Sequence, residues 1–302
     1  MSFVSSPNVF ETMRTYQGRI RAYQLHLKRL FRSWTLIYRT TSLVDPLIES
    51  RFEEIEYRLK KYIEELGLSV SDVLNEIGPD HDYKDQKKQV HLEQVVRVYL
   101  NSNLELDVKM SPLDQSYVNR SIELKSISIK SVYPPAAKQS ARQAWFDACQ
   151  QLKCDEILLC DPQEIPLESN NSNLWSLELL CTPEVLKQNL MQQDLYPLKH
   201  TIWRTPPADG QILEGITRTL LIDILQSLGA QVHDQTFDPI SHSADFSSRH
   251  KSMLVQPQVH AYFLSSTLKS LSWVNKINNQ RQKQPAFLSE LYSLIEKKLS
   301  QA

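Results

Sequence analysis

Glycine is scarce in this chain, with six glycines among 302 residues against fifteen prolines. Because glycine takes left-handed backbone conformations without a steric cost, few positions are available for the tightest turns. Each remaining glycine is therefore expected to stand where the backbone geometry requires it. The length allows two domains or one large one, since a domain typically contains about 100–200 residues, and we expect two hydrophobic cores.

The charges of the chain nearly cancel, because 34 lysines and arginines face 35 aspartates and glutamates, for a formal net charge of −1. Binding to phosphate backbones or acidic membranes depends on a surplus of positive charge. The hydrophobic fraction of 41% predicts a globular protein. The sequence has no apolar run of about 18 residues and no signal-peptide pattern. We therefore expect a cytoplasmic protein that binds neither nucleic acid nor membrane.

The cysteines and histidines do not predict a metal site. Cys149, Cys154, Cys160 and Cys181 form no Cys-x-x-Cys pair, and none lies near two histidines at ligand spacing. The histidines between residues 241 and 250 also lack the spacing of ligands on one helix face. Reduced thiols, solvated histidines and no bound metal are expected.

Apolar periodicity predicts the elements of the first half. The pattern indicates a helix over 45–67 that ends at Gly67, and then a short helix over 68–77. Two strands, 95–100 and 104–108, are separated by a three-residue polar turn of the kind found in hairpins. This half is expected to be a sheet with helices packed on it.

A change of composition near 115–135, which includes two adjacent prolines, marks the domain junction. We expect an N-terminal α/β domain over 1–120, a linker over 121–134 and a C-terminal domain over 135–302. The C-terminal domain is expected to contain a helix-like stretch from Ala136, strands over 156–160, 174–177 and 262–264, a helix over 217–228 before Gly229, and a helix over 285–299. The insertion over 178–202 is either a surface excursion or a lid or partner contact.

One segment points to chemistry, Gly210-Gln-Ile-Leu-Glu-Gly215-Ile216-Thr217-Arg218, because it leads directly into the helix predicted over 217–228. The first backbone N–H groups of a helix lack internal partners and carry the positive end of the helix dipole, which suits a phosphate. Taken alone, a glycine before a helix is more often a simple turn. A plain hairpin loop is likewise an alternative interpretation of the polar segment Leu167-Glu168-Ser-Asn-Asn-Ser-Asn173-Leu-Trp175.

Together these two segments resemble class IV pyridoxal-phosphate enzymes, which include branched-chain aminotransferases, D-amino-acid aminotransferases and aminodeoxychorismate lyases. In that family a glutamate is followed five residues later by asparagine and two apolar residues, as at Glu168 and Asn173. Further along, Arg204-Thr-Pro-Pro and Leu213-Glu-Gly-Ile-Thr-Arg218 are similar to its Thr-Pro pair and Leu-x-Gly-Ile-x-Arg motif.

Both ends of the chain extend the resemblance in the same order. The opening Val9-Phe-Glu-Thr-Met-Arg14, then Gly18, then His26-Leu-Lys-Arg29-Leu resembles the family's first strand, turn and helix. Near the C-terminus, Phe263-Leu-Ser-Ser266-Thr267 resembles the strand and loop that close the phosphate site. The Phe-Glu-Thr-Met wording is closer to the lyases and D-amino-acid enzymes than to branched-chain enzymes.

The resemblance implies a two-domain α/β (α+β) fold of type IV, with pyridoxal 5'-phosphate in the interdomain cleft of a homodimer that acts on a small-molecule substrate. The cofactor's phosphate would contact Arg29 and the groups at Gly215, Ile216, Thr217, Ser266 and Thr267, and Glu168, with Asn173 in the same motif, would face the pyridine nitrogen. Arg29 has the alternative of a surface ion pair.

The lysine that bonds the cofactor as a Schiff base has two candidates. In the family it lies about twenty residues before a strand that here begins near Glu156, and it often stands three residues after a proline. Lys138 has the proline spacing and is the first candidate, and Lys130 is the alternative.

Three functions stay open at this stage. The chain has neither the aspartate-arginine nor the glycine-rich lead-in that family members carry before the first motif, so the resemblance says less about substrate than about cofactor. The wording at Phe10–Met13 favours an aminodeoxychorismate lyase, which forms 4-aminobenzoate and pyruvate for folate synthesis. An amino-acid aminotransferase and a non-catalytic member of the family are the alternatives.

Overall fold

The computed structural model describes residues 8–38, 46–71, 92–127, 135–140, 142–192, 195–237 and 258–301. The chain forms two units by its internal contacts. The first comprises Met1–Gln115, Ala136–Ala141 and Ser300–Ala302, and the second comprises Ser116–Pro135 and Arg142–Leu299.

The first unit has a five-stranded sheet and two helices. In chain order its elements are β1 (Val9–Tyr16), β2 (Arg19–Arg21), α1 (Tyr23–Tyr38), α2 (Pro46–Glu65), β3 (Ser69–Ser71), β4 (Gln94–Leu100) and β5 (Leu106–Pro112). The strand order is β3-β2-β1-β4-β5, and only the β2–β3 pair is parallel.

Amphipathic patterning builds the core of this unit. Val9 and Met13 of β1 lie two pleats apart on one face of the sheet, where strand alternation places them, and both are buried. Leu27 and Leu30 of α1 and Leu59 of α2 are buried in the same hydrophobic cluster. The helix predicted over 45–67 is confirmed as α2, and Gly67 follows it with φ of +73°.

The hairpin predicted around 95–108 is confirmed as β4 and β5, whereas the helix predicted over 68–77 is wrong where the structure describes it. Ser69–Ser71 form β3, which pairs in parallel with β2, and the N–H of Ser69 donates to the carbonyl of Gly18 at 3.0 Å. The open edge of β2 offers hydrogen bonds that outweigh the local helical pattern. Residues 72–77 lie outside the described residues.

The second unit contains a nine-stranded sheet and four α-helices among its described residues. Its elements are β6 (Ile122–Ile127), α3 (Gln143–Leu152), β7 (Glu156–Cys160), β8 (Pro166–Ser169), β9 (Asn173–Leu179), α4 (Pro183–Met191), β10 (Thr201–Thr205), α5 (Ile216–Ser227), β11 (Gln231–Asp234), β12 (Gln258–Ser266), β13 (Ser270–Ile277), β14 (Gln280–Arg281) and α6 (Leu288–Gln301).

The second sheet folds back on itself. Its main strand order is β11-β10-β9-β12-β13-β6-β7-β8, and β8 also pairs with the start of β9. Six strands, β9, β12, β13, β6, β7 and β8, therefore form a closed ring of pairings. Because β8 and β9 meet through Glu168 and Asn173, the ring closes at the motif singled out in the sequence.

The helix-like stretch expected to begin at Ala136 is wrong. Lys138–Ser140 runs beside β1, with the N–H of Phe10 donating to the carbonyl of Lys138 at 3.1 Å and the N–H of Ser140 donating to Asn8 at 2.9 Å. These backbone bonds hold the segment extended, so the helix α3 begins only at Gln143. They also group residues 136–141 with the first unit, although the expected linker of 121–134 contains β6, a strand of the second sheet.

Two further differences concern the second unit. The strand predicted over 262–264 is β12, but it is not the last, because β13 and β14 follow it. The insertion over 178–202 is more than a surface excursion: it contains α4, capped by the Thr182 hydroxyl, and Leu186 and Leu198 within it are buried. In the described part of the chain, no helix combines the length and the apolarity needed to cross a membrane.

Candidate functional site

A buried carboxylate gathers the charged residues of the first unit. Glu11 shares the inward face of β1 with Val9 and Met13 and is fully buried. Its Oε1 accepts from Arg29 Nη2 at 2.6 Å, from Lys138 Nζ at 2.9 Å and from its neighbour's N–H at 2.7 Å. Its Oε2 accepts from Arg29 Nε at 2.7 Å. The phosphate candidate and the first lysine candidate therefore meet on one carboxylate.

The position of Lys138 is fixed by backbone and side chain together. Its N–H donates to the Ser33 hydroxyl of α1 at 3.0 Å, while its carbonyl accepts from the N–H of Phe10. Its Nζ lies 5.2 Å from the centre of the Phe10 ring, within cation–π range. The ammonium is thus held between an aromatic face and a carboxylate, with little exposure to water.

The cluster carries more positive than negative charge. Burial raises the pKa of Glu11, but Arg29, Lys138 and His26 together hold the pKa well below its ordinary value of 4.5, so the group is a carboxylate. Burial lowers the pKa of His26, whose Nδ1 lies 3.2 Å from Glu11, and so favours the neutral ring. Among the contacts that the structure describes around Glu11, one carboxylate faces a guanidinium and an ammonium, and an anion can compensate this excess of one positive charge.

A second carboxylate belongs to the closure of the second sheet. Glu168 of β8 is half-buried and accepts from the backbone N–H of Leu213 at 3.2 Å and from Asn173 Nδ2 at 3.3 Å. Asn173 also donates to the carbonyl of Leu213 at 2.9 Å. The three groups hold each other, so that the segment before α5 is fastened to the start of β9.

The helix α5 begins at this same place. Gly215 is its N-cap, and no side chain caps the first turn. A Cβ on Gly215 would lie 1.8 Å from Asn173 Oδ1, so the glycine is required by the close approach of Asn173. The N–H groups of Ile216 and Thr217 belong to the first helical turn, which has no internal acceptors and attracts anions.

Arg218, the last residue of the Leu213–Arg218 motif, connects that motif to the Thr205-Pro206 pair. Its Nε donates to Thr205 Oγ1 at 3.2 Å, and its Nη2 donates to the carbonyl of Pro206 and to Asp234 Oδ1, both at 2.9 Å. The side chain is buried, and it fastens the end of β10 to the first turn of α5. Arg218 therefore positions the N-terminus of that helix.

Ser266 and Thr267 lie at the turn between β12 and β13, and both are half-buried. Before them on β12, the Ser265 hydroxyl accepts from Trp175 Nε1 at 2.8 Å. After them, the N–H of Lys269 donates to Ser266 Oγ at 3.4 Å. The Lys269 side chain runs inward and contacts Glu156, and burial lowers the pKa of Lys269 to about 7.

The structure thus brings the expected residues together in two sets. Arg29 and Lys138 meet in the first unit. Glu168, Asn173 and Gly215 meet in the second. Lys130 lies outside the described residues and stays the alternative candidate for the lysine that bonds the cofactor.

Sequence reasoning did not anticipate three charged residues. Glu11 belongs to the Val9–Arg14 motif, and its charge on the same strand face as two apolar residues is a sign of a buried ion. Glu156 and Lys269 lie far apart in the chain, and no local pattern pairs them.

The charged and polar groups of these two sets suit the functional groups of pyridoxal phosphate. The surplus positive charge around Glu11 and the uncapped first turn at Gly215 each suit a phosphate. The half-buried carboxylate of Glu168 suits a protonated pyridine nitrogen, because an anion there favours the charged ring. The buried amine of Lys138 suits covalent attachment of an aldehyde.

The overall fold is shared with solved aminotransferase structures. A protein from Thermotoga maritima described as a branched-chain amino acid aminotransferase is 21% identical, with a TM-score of 0.61 over 97% of this chain and 86% of that one. A hypothetical aminotransferase from Mycobacterium tuberculosis in its PLP-bound form is 14% identical, with a TM-score of 0.62 over 98% of this chain and 90% of that one. A branched-chain aminotransferase from Thermoproteus uzoniensis with norvaline is 14% identical, with a TM-score of 0.62 over 97% and 85%.

No curated protein sequence matches the chain. The family model for amino-transferase class IV matches residues 8–277, which include Glu11, Arg29, Lys138 and the whole segment from Glu168 to Arg218. The match spans most of the chain and confirms the recognised family, while the solved structures above confirm the mixed α/β fold class. The chain therefore belongs to the class IV aminotransferase family of pyridoxal-phosphate enzymes.

Proposed function

We propose that this protein binds pyridoxal phosphate through Lys138 and uses the amine of that residue to move protons on an amino-bearing substrate. The observation that carries the proposal is the contact of 2.9 Å between Lys138 Nζ and the buried Glu11, with Arg29 on the same carboxylate. Glu11 holds the amine at a fixed position and keeps it beside the cation expected to bind the phosphate.

The remaining residues have separable tasks in this proposal. Arg29, the first-turn N–H groups of Ile216 and Thr217, and the Thr267 hydroxyl would hold the phosphate. Glu168, held by Leu213 and Asn173, would accept the proton of the pyridine nitrogen in a hydrogen bond. When bound, the cofactor supplies an electron sink that stabilises negative charge next to the substrate amine.

The reaction that we propose first is that of an aminodeoxychorismate lyase. In it the bond between the ring and the ether oxygen of the enolpyruvyl group breaks, one ring proton is lost, and one proton is added to the departing group. The products are 4-aminobenzoate and pyruvate. Lys138 Nζ would take the ring proton in this proposal, and the motif Phe10-Glu11-Thr12-Met13 supports the choice of a lyase.

An aminotransferase is the second candidate. It is favoured by the solved structures that share this fold, several of which are described as branched-chain aminotransferases. Lys138 Nζ would then carry a proton between the substrate carbon and the cofactor carbon, and a 2-oxo acid would accept the amine. A homodimer and a cytoplasmic location stay predictions.

Product analysis on the purified protein decides between the candidates. With 4-amino-4-deoxychorismate, the lyase forms 4-aminobenzoate and pyruvate in equal amounts, and Lys138→Ala forms neither. With an amino acid and 2-oxoglutarate, an aminotransferase forms glutamate. A protein that is colourless after incubation with pyridoxal phosphate and has no visible band near about 410–430 nm contradicts both.

A further inference from the structure

A second buried ion pair lies in the second unit, among residues to which neither the motifs nor the proposed reaction gives a task. Glu156 is the first residue of β7 and is 1% exposed, and Lys269 lies in the turn between β12 and β13 and is 6% exposed. Lys269 Nζ contacts Glu156 Oε1 directly. Removing two charges from water is costly, so a pair of this kind needs further hydrogen bonds to be stable.

Two serine hydroxyls supply those hydrogen bonds. Ser169 Oγ donates to Glu156 Oε2, and Ser172 Oγ lies 3.5 Å from Glu156 Oε1. Lys269 Nζ donates in turn to Ser172 Oγ at 3.3 Å. These serines stand at the two ends of the short loop that joins β8 to β9.

That loop lies between the two residues that the proposed function assigns to the cofactor's ring. Glu168 precedes Ser169 directly, and Asn173 follows Ser172 directly. Asn170 inside the loop is also tied to β7, because its Oδ1 accepts from the N–H of Ile157 at 3.1 Å. The position of the Glu168 carboxylate therefore depends on how this loop is held.

The other end of the pair belongs to the turn expected to contact the phosphate. The N–H of Lys269 donates to Ser266 Oγ at 3.4 Å, and its carbonyl accepts from the N–H of Asn119 at 3.0 Å. Thr267 lies between Ser266 and Lys269 in this turn. One side chain thus joins the β12–β13 turn to the β8–β9 loop.

We propose that the Glu156–Lys269 pair is a positioning device for the cofactor site: it holds the Glu168 carboxylate and the Ser266–Thr267 turn in a fixed arrangement, so that one can receive the pyridine nitrogen and the other the phosphate of a cofactor molecule. This inference rests on the proposed function. The cofactor's ring and phosphate arm have a fixed length, so a site whose two ends can shift independently loses affinity through poor preorganisation.

The test measures cofactor binding in variants of the full-length protein. Lys269→Met removes the ammonium, and Lys269→Arg keeps a positive charge at the same place. We expect the dissociation constant of pyridoxal phosphate to rise at least about tenfold in Lys269→Met, equivalent to about 1.4 kcal/mol, and less in Lys269→Arg. The pH at which the visible absorbance band of the bound cofactor changes should also shift in Lys269→Met, because the charge that Glu168 places beside the ring influences the protonation of the lysine–cofactor linkage that this band follows.

A matched control is available in the same sheet. Lys276 of β13 pairs with Glu123 of β6 at 2.9 Å, and both side chains are between a quarter and a third exposed. Lys276→Met removes a lysine from an ion pair that touches neither the loop nor the turn. It should leave the dissociation constant and the pH titration of the band unchanged.

The outcomes separate the inference from the function on which it rests. If the wild-type protein fails to bind pyridoxal phosphate, the proposed function is wrong. If the wild type binds and Lys269→Met binds equally tightly with an unchanged titration, the positioning role alone is overturned, as it is if Lys276→Met weakens binding as much. If Lys269→Met does not fold, Ser172→Ala decides by the same two measurements: weakened binding with a shifted titration supports the role, and wild-type values overturn it.

Discussion

Each unit of this protein buries a carboxylate against a lysine, and the two clusters differ in their balance of charge. Around Glu11 an arginine and a lysine share one carboxylate, and the nearby His26 is kept neutral by burial. Around Glu156 one lysine faces one carboxylate, and hydroxyl groups complete the hydrogen bonding. Counted over the described contacts, the first cluster has a surplus positive charge, whereas the second pairs one positive with one negative group.

This difference in charge balance suits the Glu11 cluster to ligand binding and the Glu156 cluster to holding neighbouring segments in place. A buried surplus charge is unfavourable unless a counter-ion compensates it, so the Glu11 cluster is suited to receive an anion. A balanced pair has no such need and can only hold its surroundings in place. The amine of Lys138 is therefore the one expected to react, although Lys269 is also a buried lysine beside a carboxylate.

The largest expected effect comes from removing the first carboxylate. Glu11→Gln removes the buried carboxylate that Arg29 and Lys138 share, and we expect the free energy of unfolding to fall by about 3–5 kcal/mol. Glu156→Gln should cost less, because Lys269, with a pKa of about 7, can lose its proton, whereas an arginine cannot. Urea denaturation of both variants measures the two losses.

An exposed glutamate is the control for this comparison. Glu54 of α2 lies on the surface, where its carboxylate is 3.9 Å from Arg58, so Glu54→Gln should change stability by less than about 0.5 kcal/mol. A larger loss in Glu156→Gln than in Glu11→Gln would contradict the account of surplus charge.

A change at Gly215 tests whether the second unit depends on the approach of Asn173 as well as on the Glu156 pair. The added Cβ of Gly215→Ala would meet Asn173 Oδ1 at 1.8 Å and displace the amide from Glu168 and Leu213. We expect a loss of about 1–3 kcal/mol in the free energy of unfolding. In the Asn173→Ala background the same substitution should cost much less, and equal costs in both backgrounds would show that Asn173 is not the obstacle.

The two clusters should contribute to stability in different pH ranges. The pKa of Glu11 is lower in the folded chain than its ordinary 4.5, so its contribution is present above that pH and is lost as the pH falls below it. The pKa of Lys269 is about 7 in the folded chain against an ordinary 10.5, so the unfolded chain binds more protons between these values. Stability should therefore rise with pH across that window, by up to about 1.4 kcal/mol per pH unit.

Unfolding midpoints measured over a pH series check both windows. The difference between wild type and Lys269→Met should change between pH 7 and 10.5, and the difference between wild type and Glu11→Gln should change in acid. A Lys269→Met difference that is flat above neutral pH would mean that the lysine keeps its ordinary pKa.

A smaller effect than in either buried cluster is expected at a partly exposed pair of the second sheet. Lys276→Met removes the partly exposed pair with Glu123, and we expect the free energy of unfolding to fall by less than about 1 kcal/mol. Chemical denaturation beside Glu156→Gln tests this directly. A loss as large as that of Glu156→Gln would show that burial is not what distinguishes the two pairs.

The sequence predicted most of the elements whose signal is local. The apolar spacing of α2, the turn between β4 and β5, and the glycine before α5 are each contained within a short segment. The family motifs likewise located Glu168, Asn173 and Gly215, which the structure brings into contact.

Features that depend on distant partners were predicted wrongly or not at all. Ser69–Ser71 form a strand because β2 offers a free edge, and Lys138–Ser140 stays extended because β1 is its neighbour. The Glu156–Lys269 pair joins residues more than a hundred positions apart. Local periodicity carries no information on such contacts, since sheet edges and buried ions are decided by tertiary packing.

The account is tested most directly by locating the lysine that bonds the cofactor. The protein is incubated with pyridoxal phosphate, reduced with borohydride, digested and analysed by mass spectrometry for the peptide that carries the pyridoxyl group. We predict a single label on Lys138, from the cluster with surplus positive charge, and none on Lys269. A label on Lys130 or Lys269, or a protein that takes no label, would contradict the assignment of Lys138 as the reactive amine.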